Sequence, residues 1–210
     1  MCAPLWLRSP RRTPCSRSAR SSASRTCNPM GATVLVPATS ANLGPGFDSF
    51  GLALDLHNRF EAELANDWSV SVEGEGAGVL STGADNVVAK AMARAFAEAG
   101  RPELRAAIGC LNRVPTGSGL GSSSAAIVGG LLLGEQLTDA SFGDARMLEL
   151  AAELEGHPDN VAAALFGGFT VCWLDEGHAY HARFEPARGL AVVAVPALTE
   201  LATSAARAML

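Results

Sequence analysis

Glycine and serine are concentrated at residues 115–124, where the sequence is PTGSGLGSSS. Gly117, Gly119 and Gly121 allow the backbone to take positive φ and to approach a ligand closely. Successive backbone N–H groups can then point at phosphate oxygens, with the positive end of a following helix behind them. The serine hydroxyls that follow can donate to phosphate or ligate a cation. The segment therefore predicts a phosphate-binding loop.

Two common phosphate-binding motifs do not fit this segment. A Walker loop needs a Lys after its last glycine, and the only Lys of the chain is Lys90. The dinucleotide pattern G-x-G-x-x-G fails as well, because Ser122 and Ser124 stand where it needs glycine. An ordinary flexible turn before a helix remains an alternative.

Three segments in order resemble one family of small-molecule kinases. The loop resembles the ATP-binding motif of the GHMP kinases. Residues 37–48, PATSANLGPGFD, resemble the first motif of homoserine kinases, and residues 155–162, EGHPDNVA, followed by FGGF at 166–169, resemble them too. A galactokinase or mevalonate kinase would show a Gly-Glu-His step after the first strand, and none occurs there. The resemblance runs from about residue 33 to residue 210.

The resemblance implies a site for ATP and Mg²⁺. It implies that the loop wraps the triphosphate, that Asn86 lies on the adenine side, and that Ser123 and Glu149 hold the Mg²⁺. From the residues alone, Glu149 also fits a solvated helix face. The implied nucleotide-binding residues are Asn86, Pro115, Thr116, Gly117, Ser118, Gly119, Leu120, Gly121, Ser122, Ser123, Ser124 and Ala125.

The resemblance also implies that L-homoserine is the phosphate acceptor. Asp48 and Asn160 are the implied catalytic residues, and whether any residue acts as a general base stays open. From the residues alone, Asn42, Asp48 and Asp159 also fit turns beside Gly and Pro, and Arg207 also fits a solvated helix surface. The implied substrate-binding residues are Asn42, Asp48, His157, Asp159, Thr203 and Arg207.

The patterning predicts an α+β fold. Helices are predicted from Asp85 or Asn86 to Gly100, over 123–137, from Asp144 to Gly156, over 160–166 and over 201–210. Segments 50–56, 59–64 and 68–73 are predicted as antiparallel strands after a first strand at 33–37 and a loop at 39–49. Further strands are predicted at 106–114, 168–174 and, buried, 190–196. The resemblance implies the GHMP-kinase N-terminal domain, which is similar to domain 2 of ribosomal protein S5.

The chain is expected to divide into three parts. Residues 1–29, rich in Arg and Ser, form a disordered leader, either a translated upstream region before a start at Met30 or an organelle transit peptide. Residues 30–185 form the ATP-binding domain. The resemblance implies that residues 186–210 begin a ferredoxin-like α/β C-terminal domain. The last predicted helix has no C-terminal stop, which suggests a truncated domain; alternatively, that helix frays into solvent.

Charge and cysteine content exclude several classes of function. The net charge is −5, yet residues 1–30 hold six Arg and no acid, so the remainder carries about −11. An acidic body argues against nucleic-acid binding. The five cysteines are widely spaced, which favours neither a disulfide framework nor a zinc site and indicates a cytoplasmic compartment, or an organelle if the leader is a transit peptide.

Apolar run lengths argue against a membrane span, since such a span needs about 20 apolar residues. His178 and His181 lie near a predicted hairpin tip, where polar residues are more often solvated than metal-binding. A homodimer is possible. Two alternatives to homoserine phosphorylation stay open: a catalytically inactive nucleotide-binding fragment and another kinase of the GHMP superfamily.

Overall fold

A computed structural model describes residues 31–187 and 189–195, and within them the chain forms one mixed sheet with helices. The strands are β1 (Ala32–Ala41), β2 (Phe50–Ala65), β3 (Ser69–Gly74), β4 (Arg105–Asn112), β5 (Phe169–Asp175) and β6 (His178–Phe184). The helices are α1 (Val87–Glu98), α2 (Ser122–Leu137), α3 (Asp144–Glu155) and α4 (Asp159–Phe166). The predicted α+β class is confirmed.

The long strand β2 organises the sheet, whose order is β3-β4-β2-β5-β6 with β1 also paired to β2. β2 pairs antiparallel with β1 along most of its length, with β4 at its C-terminal half and with β5 at its N-terminal end. The register of β1 against β2 shifts between Pro37 and Thr39. Proline within a sheet is usually found at such irregularities or at edges, because it has no N–H to donate.

Three details of the strands differ from the prediction. β1 continues to Ala41 instead of ending at Pro37, and the two segments predicted at 50–56 and 59–64 form the single strand β2. β3 is parallel to β4, not antiparallel to its neighbours. The reason is the connection: α1 lies between β3 and β4 in the chain, and a helical crossover joins parallel strands.

Helix α2 fills the centre of the molecule. Ten of its residues are buried, and it contacts α1, α3, α4, β1 and β2. Its glycines permit this close packing, since a Cβ on Gly130 would lie 2.4 Å from the carbonyl oxygen of Val88, and one on Gly129 would lie 2.4 Å from the Phe60 ring. The helix behind the phosphate-binding loop is thus fixed from both sides.

The helix ends largely follow the prediction. Asn86 caps α1, because its Oδ1 accepts a hydrogen bond of 2.9 Å from the Val88 N–H. Gly156 ends α3 in the left-handed conformation, as predicted. Asp144 is the first residue of α3 and Gly143 its cap, and the buried residues of this helix include Leu148 and Leu150.

The predicted buried strand at 190–196 is wrong for its described part. Residues 190–195 form no strand and are exposed, with Val195 at 86%. A strand needs a hydrogen-bonding partner, and no described strand pairs with this segment.

The expected leader at 1–29, the helix at 201–210, and both Thr203 and Arg207 lie outside the described residues. In the described ranges, no helix combines the length and the apolar character that crossing a bilayer requires.

Candidate active site

The loop between β4 and α2 has the backbone expected of a phosphate-binding loop. Gly117, Gly119 and Gly121 have φ of 66°, 75° and 67°. Gly121 caps α2 without a side chain, so no side chain occupies the first N–H groups of this helix. The Ser118 hydroxyl donates to the Pro115 carbonyl oxygen over 2.7 Å and holds the loop in its turn. The loop therefore ends in exposed donors at a positive helix end.

A cavity of about 290 Å³ lies beside this loop, between α1 and the sheet. Its wall is mainly apolar and includes Phe60, Val72 and Leu80. Thr116, Gly117, Ser122 and Ser123 line the side next to the loop. An apolar slot next to phosphate donors suits a ligand that carries both a flat ring and phosphates.

Asn86 lines this cavity, and its side chain is engaged within the protein. Its Oδ1 caps α1, and its Nδ2 donates to the carbonyl oxygen of Ser81 over 2.6 Å. The residue is only 7% exposed. Asn86 therefore shapes the cavity wall by holding the start of α1 against the turn at Ser81.

Glu155 is the carboxylate that faces the first turn of α2. The Ser123 hydroxyl donates to Glu155 Oε2 over 3.0 Å, and the Ser124 hydroxyl donates to Oε1 over 2.8 Å. Glu155 is the last residue of α3, where the helix dipole disfavours a negative charge. That unfavourable position was the sequence signal for Glu155, which the sequence analysis did not assign to the site.

Glu149 was predicted to share a cation with Ser123, and the structure instead pairs it with two basic groups. Its carboxylate accepts from Arg146 over 3.0 Å and lies 2.7 Å from Nδ1 of His178. His178 and then Arg146 hold the pKa of Glu149 below its ordinary value. Glu155 lies six positions after Glu149, or about 9 Å along the helix axis. The two carboxylates thus face different neighbours.

The loop from Asn42 to Asp48 brings two predicted residues together. The Asp48 N–H donates to Oδ1 of Asn42 over 2.9 Å. The backbone of both residues has the left-handed conformation, with φ of 56° and 55°, which Asn and Asp tolerate better than most residues. The Asn42 side chain thereby fixes the backbone that carries Asp48.

Asp159 and Asn160 begin α4, and Asp159 is fully buried. Its Oδ1 accepts from the Asn160 N–H over 2.7 Å and also contacts Nδ1 of His157. Its other oxygen, Oδ2, is buried and finds no hydrogen-bond partner within the described part of the chain. Such an oxygen is costly to leave unpaired, so it is suited to receive a donor from a ligand.

Asp48 and Asp159 both lie within electrostatic reach of the buried thiol of Cys172. The pKa of this buried thiol is raised to about 12, first by burial and then by the negative charges of Asp159 and Asp48. A Cβ on Gly51, just after the loop that carries Asp48, would lie 2.4 Å from the carbonyl oxygen of Asp159. The loop after β1 and the start of α4 therefore lie against one another.

The described ranges contain no cluster of three or more His, Cys, Asp and Glu side chains arranged for a metal. Ser123, Ser124 and Glu155 together offer hydroxyl and carboxylate oxygens. Mg²⁺ prefers oxygen ligands, takes one or two carboxylates and retains water molecules. This donor set fits Mg²⁺ without a larger cluster.

Comparison with known proteins identifies relatives by sequence. Residues 85–168 match the family described as "GHMP kinases N terminal domain". The homoserine kinase of Streptomyces avermitilis is 44% identical over 182 residues, which cover 84% of this chain and 59% of that protein. The homoserine kinase of Mycobacterium tuberculosis is 45% identical over 149 residues, covering 69% of this chain and 47% of that protein. The chain thus spans about three fifths of the first of these relatives.

Solved structures give the same relationship. The homoserine kinase of Cytophaga hutchinsonii superposes with a TM-score of 0.63 and 28% identity, over 78% of this chain and 54% of that chain. The mevalonate kinase of Methanococcus jannaschii superposes with a TM-score of 0.60 and 12% identity, over 76% of this chain and 57% of that chain. The second match shows a shared fold alone.

Proposed function

Because the chain contains the N-terminal domain of the GHMP kinases and is a homologue of homoserine kinases, we propose that it transfers the γ-phosphate of ATP to the hydroxyl of L-homoserine. The product would be O-phospho-L-homoserine. The observation that carries the proposal is the position of Asn160, whose side chain lies 2.8 Å from the hydroxyl of Thr39, beside the end of the phosphate-binding loop. The start of α4 and the end of the phosphate-binding loop therefore lie together, which supports a phosphate donor and an acceptor meeting there.

The nucleotide occupies the loop and the neighbouring cavity. The loop N–H groups and the start of α2 meet the phosphates, and the adenine enters the apolar slot beside Phe60 and Leu80. Asn86 supports this slot through its contacts with α1 and Ser81. The base is thus recognised mainly by shape and burial.

Ser123 and Glu155 hold the Mg²⁺ that accompanies ATP, with Ser124 beside them. The assignment of Glu149 stays a prediction; Glu155 is proposed because the Glu149 carboxylate is paired with Arg146 and His178. When bound, the ion neutralises charge on the phosphates. Without a cation, the two serine hydroxyls satisfy the Glu155 carboxylate.

The start of α4 and the loop that carries Asp48 receive the acceptor. Asp159 Oδ2 is the buried acceptor to which the ammonium or hydroxyl of homoserine donates, and Asp48 adds negative charge nearby. Phosphoryl transfer depends mainly on positioning and charge stabilisation. The acceptor oxygen forms its bond to the γ-phosphorus as the bond from that phosphorus to ADP breaks, and the hydroxyl proton passes to a phosphate oxygen and from there to solvent. Thr203 and Arg207, outside the described residues, would bind the substrate carboxylate.

A cytoplasmic location and a homodimer are further expectations for an enzyme of this kind. No contact among the described residues bears on either of them, and both stay predictions.

The test is ADP release by the 210-residue chain, measured with and without L-homoserine in the presence of Mg²⁺ and ATP. We expect release that depends on L-homoserine, with O-phospho-L-homoserine detected by ³¹P NMR. Mevalonate and galactose replace homoserine in parallel reactions, and ATP binding is measured separately by equilibrium dialysis. ATP binding without turnover would identify a nucleotide-binding fragment, and turnover with another alcohol alone would identify another GHMP kinase; either result overturns the proposal.

A further inference from the structure

Thr39 contacts both the phosphate-binding loop and the start of α4, although its side chain has no role in the assignments above. It is fully buried in β1, just after the register shift that follows Pro37. Its hydroxyl donates to Oδ1 of Asn160 over 2.8 Å, and its backbone N–H donates to the carbonyl oxygen of Leu120 over 3.0 Å. One residue therefore joins the start of α4 to the phosphate-binding loop.

The direction of the Thr39 hydrogen bond determines what Asn160 presents. A side-chain amide has one acceptor oxygen and one NH₂ donor group, and rotation by half a turn exchanges them. The Thr39 proton occupies the oxygen, so the NH₂ group is directed elsewhere. The phosphate oxygens and the acceptor hydroxyl oxygen of a phosphoryl transfer can each accept from that NH₂ group.

The phosphate-binding loop packs closely against this hydrogen bond. A Cβ placed on Gly121 would lie 2.0 Å from Oγ1 of Thr39 and 3.2 Å from Oδ1 of Asn160. The last glycine of the loop therefore lies directly against the bond. Thr39 is fully buried, and a hydrogen bond in such surroundings is stronger than one in water.

We propose that Thr39 is a positioning residue: its hydroxyl holds the Asn160 amide with its NH₂ group toward the transferring phosphate, and its N–H ties that amide to the loop. The inference rests on the proposed function, since the acceptor and the phosphate give the orientation its use. The chemical recognition assigned to Asn160 is the donation of hydrogen bonds to oxygen acceptors. Thr39 itself touches no substrate.

Two variants and one control separate this role from simple packing. Thr39→Val keeps the shape and removes the donor, whereas Thr39→Ser keeps the hydroxyl. Thr170→Val is the matched control, because Thr170 is also fully buried and its hydroxyl donates to a protein oxygen, the Gly51 carbonyl, over 3.3 Å. All three variants are compared by urea unfolding, so that activity is interpreted only for folded protein.

The first readout does not need activity. The side-chain NH₂ signals of Asn160 are recorded by ¹⁵N–¹H NMR and assigned by their loss in Asn160→Asp. We expect these signals to shift or broaden in Thr39→Val and to stay unchanged in Thr39→Ser and Thr170→Val. Unchanged signals in Thr39→Val would overturn the proposal, whether or not the chain is a homoserine kinase.

The second readout is steady-state kinetics. We expect Thr39→Val to lower the homoserine-dependent kcat by about tenfold or more, as loss of orientation does, with the KM for ATP changed less than about threefold. Thr39→Ser should restore the rate. An equal loss in Thr39→Ser and Thr39→Val would assign the effect to packing and overturn the proposal. If the wild-type chain has no homoserine-dependent turnover, the proposed function fails, and the NMR comparison alone decides the role of Thr39.

Discussion

The hydroxyl of Ser123 donates to Oε2 of Glu155 over 3.0 Å, and this contact joins the first turn of α2 to the last residue of α3. Glu149, on the same helix, is paired instead with Arg146 and His178. We therefore expect the two carboxylates to have different tasks. Glu155 would support the binding of Mg²⁺ and ATP, and Glu149 would stabilise the fold.

Replacing each carboxylate by its amide should separate these tasks. Glu155→Gln removes the charge beside Ser123, so we expect the Mg²⁺ concentration for half-maximal ATP binding to rise about tenfold or more. Glu149→Gln should leave that concentration unchanged and lower the stability of the fold, because Arg146 and His178 lose a charged partner. The measurements are ATP binding in a Mg²⁺ titration and urea unfolding. A raised Mg²⁺ requirement in Glu149→Gln but not in Glu155→Gln would assign the cation to Glu149.

Gly121 and Gly119 offer a matched pair in the phosphate-binding loop. Both have positive φ, which costs an alanine about 1–2 kcal/mol. Only at Gly121 would the added Cβ meet a side chain, at 2.0 Å from Thr39 Oγ1, whereas at Gly119 it would meet nothing within 4 Å. We therefore expect Gly121→Ala to lower the free energy of urea unfolding by about 2 kcal/mol more than Gly119→Ala. Equal losses would show that Thr39 does not contact the loop as described.

Glu98 should make stability depend on pH in the acid range. Arg146, and then Arg94, hold the pKa of its carboxyl at about 2, below the ordinary value of 4.5. Because the folded state favours the charged form, the stabilisation is complete above pH 4.5 and is lost as the pH falls toward 2. Both arginines and Glu98 are partly exposed, so the expected contribution is about 1 kcal/mol.

The check on Glu98 is urea unfolding of wild type and Glu98→Gln at pH 7 and pH 3. The free energy of unfolding of wild type should exceed that of Glu98→Gln by more at pH 7 than at pH 3. Glu103→Gln is the control, since Glu103 pairs with Arg101 on an exposed surface and its loss should barely change stability. A difference that does not depend on pH would contradict the assignment.

The thiols of Cys110 and Cys172 should be unreactive in the folded protein. Burial raises the pKa of Cys110 to about 11, and burial with the nearby carboxylates raises that of Cys172 to about 12. Only the thiolate reacts with disulfide reagents, and at pH 8 almost none is present. In a variant with Cys2, Cys15 and Cys27 replaced by Ser, we expect no labelling until guanidinium unfolds the chain, and then labelling of both thiols. Rapid labelling of the native variant would contradict the buried positions.

Local sequence patterns predicted most of the single elements. The cap of α1, predicted at Asp85 or Asn86, lies at Asn86, and the Gly156 stop and the left-handed glycines of the loop were found as predicted. Each of these features depends on residues close in the chain. The errors concerned pairing. The parallel arrangement of β3 and β4 depends on partners that local periodicity does not identify, and the apolar segment at 190–195 has no described partner with which to form a strand.

The sequence by itself predicted the chemistry of the site: a glycine-rich loop for phosphate, two acidic and amide-rich motifs for the acceptor, and the homoserine-kinase resemblance that joins them. The tertiary structure decided which residues meet. Glu155 and Glu149 lie on one helix, and only the packing of α3 against α2 places Glu155 at Ser123. Thr39 and Asn160 are 121 residues apart, and only the folding of β1 against the loop and α4 brings them to hydrogen-bonding distance. Spacing along the chain fixes local geometry, but such contacts depend on the packing of distant elements.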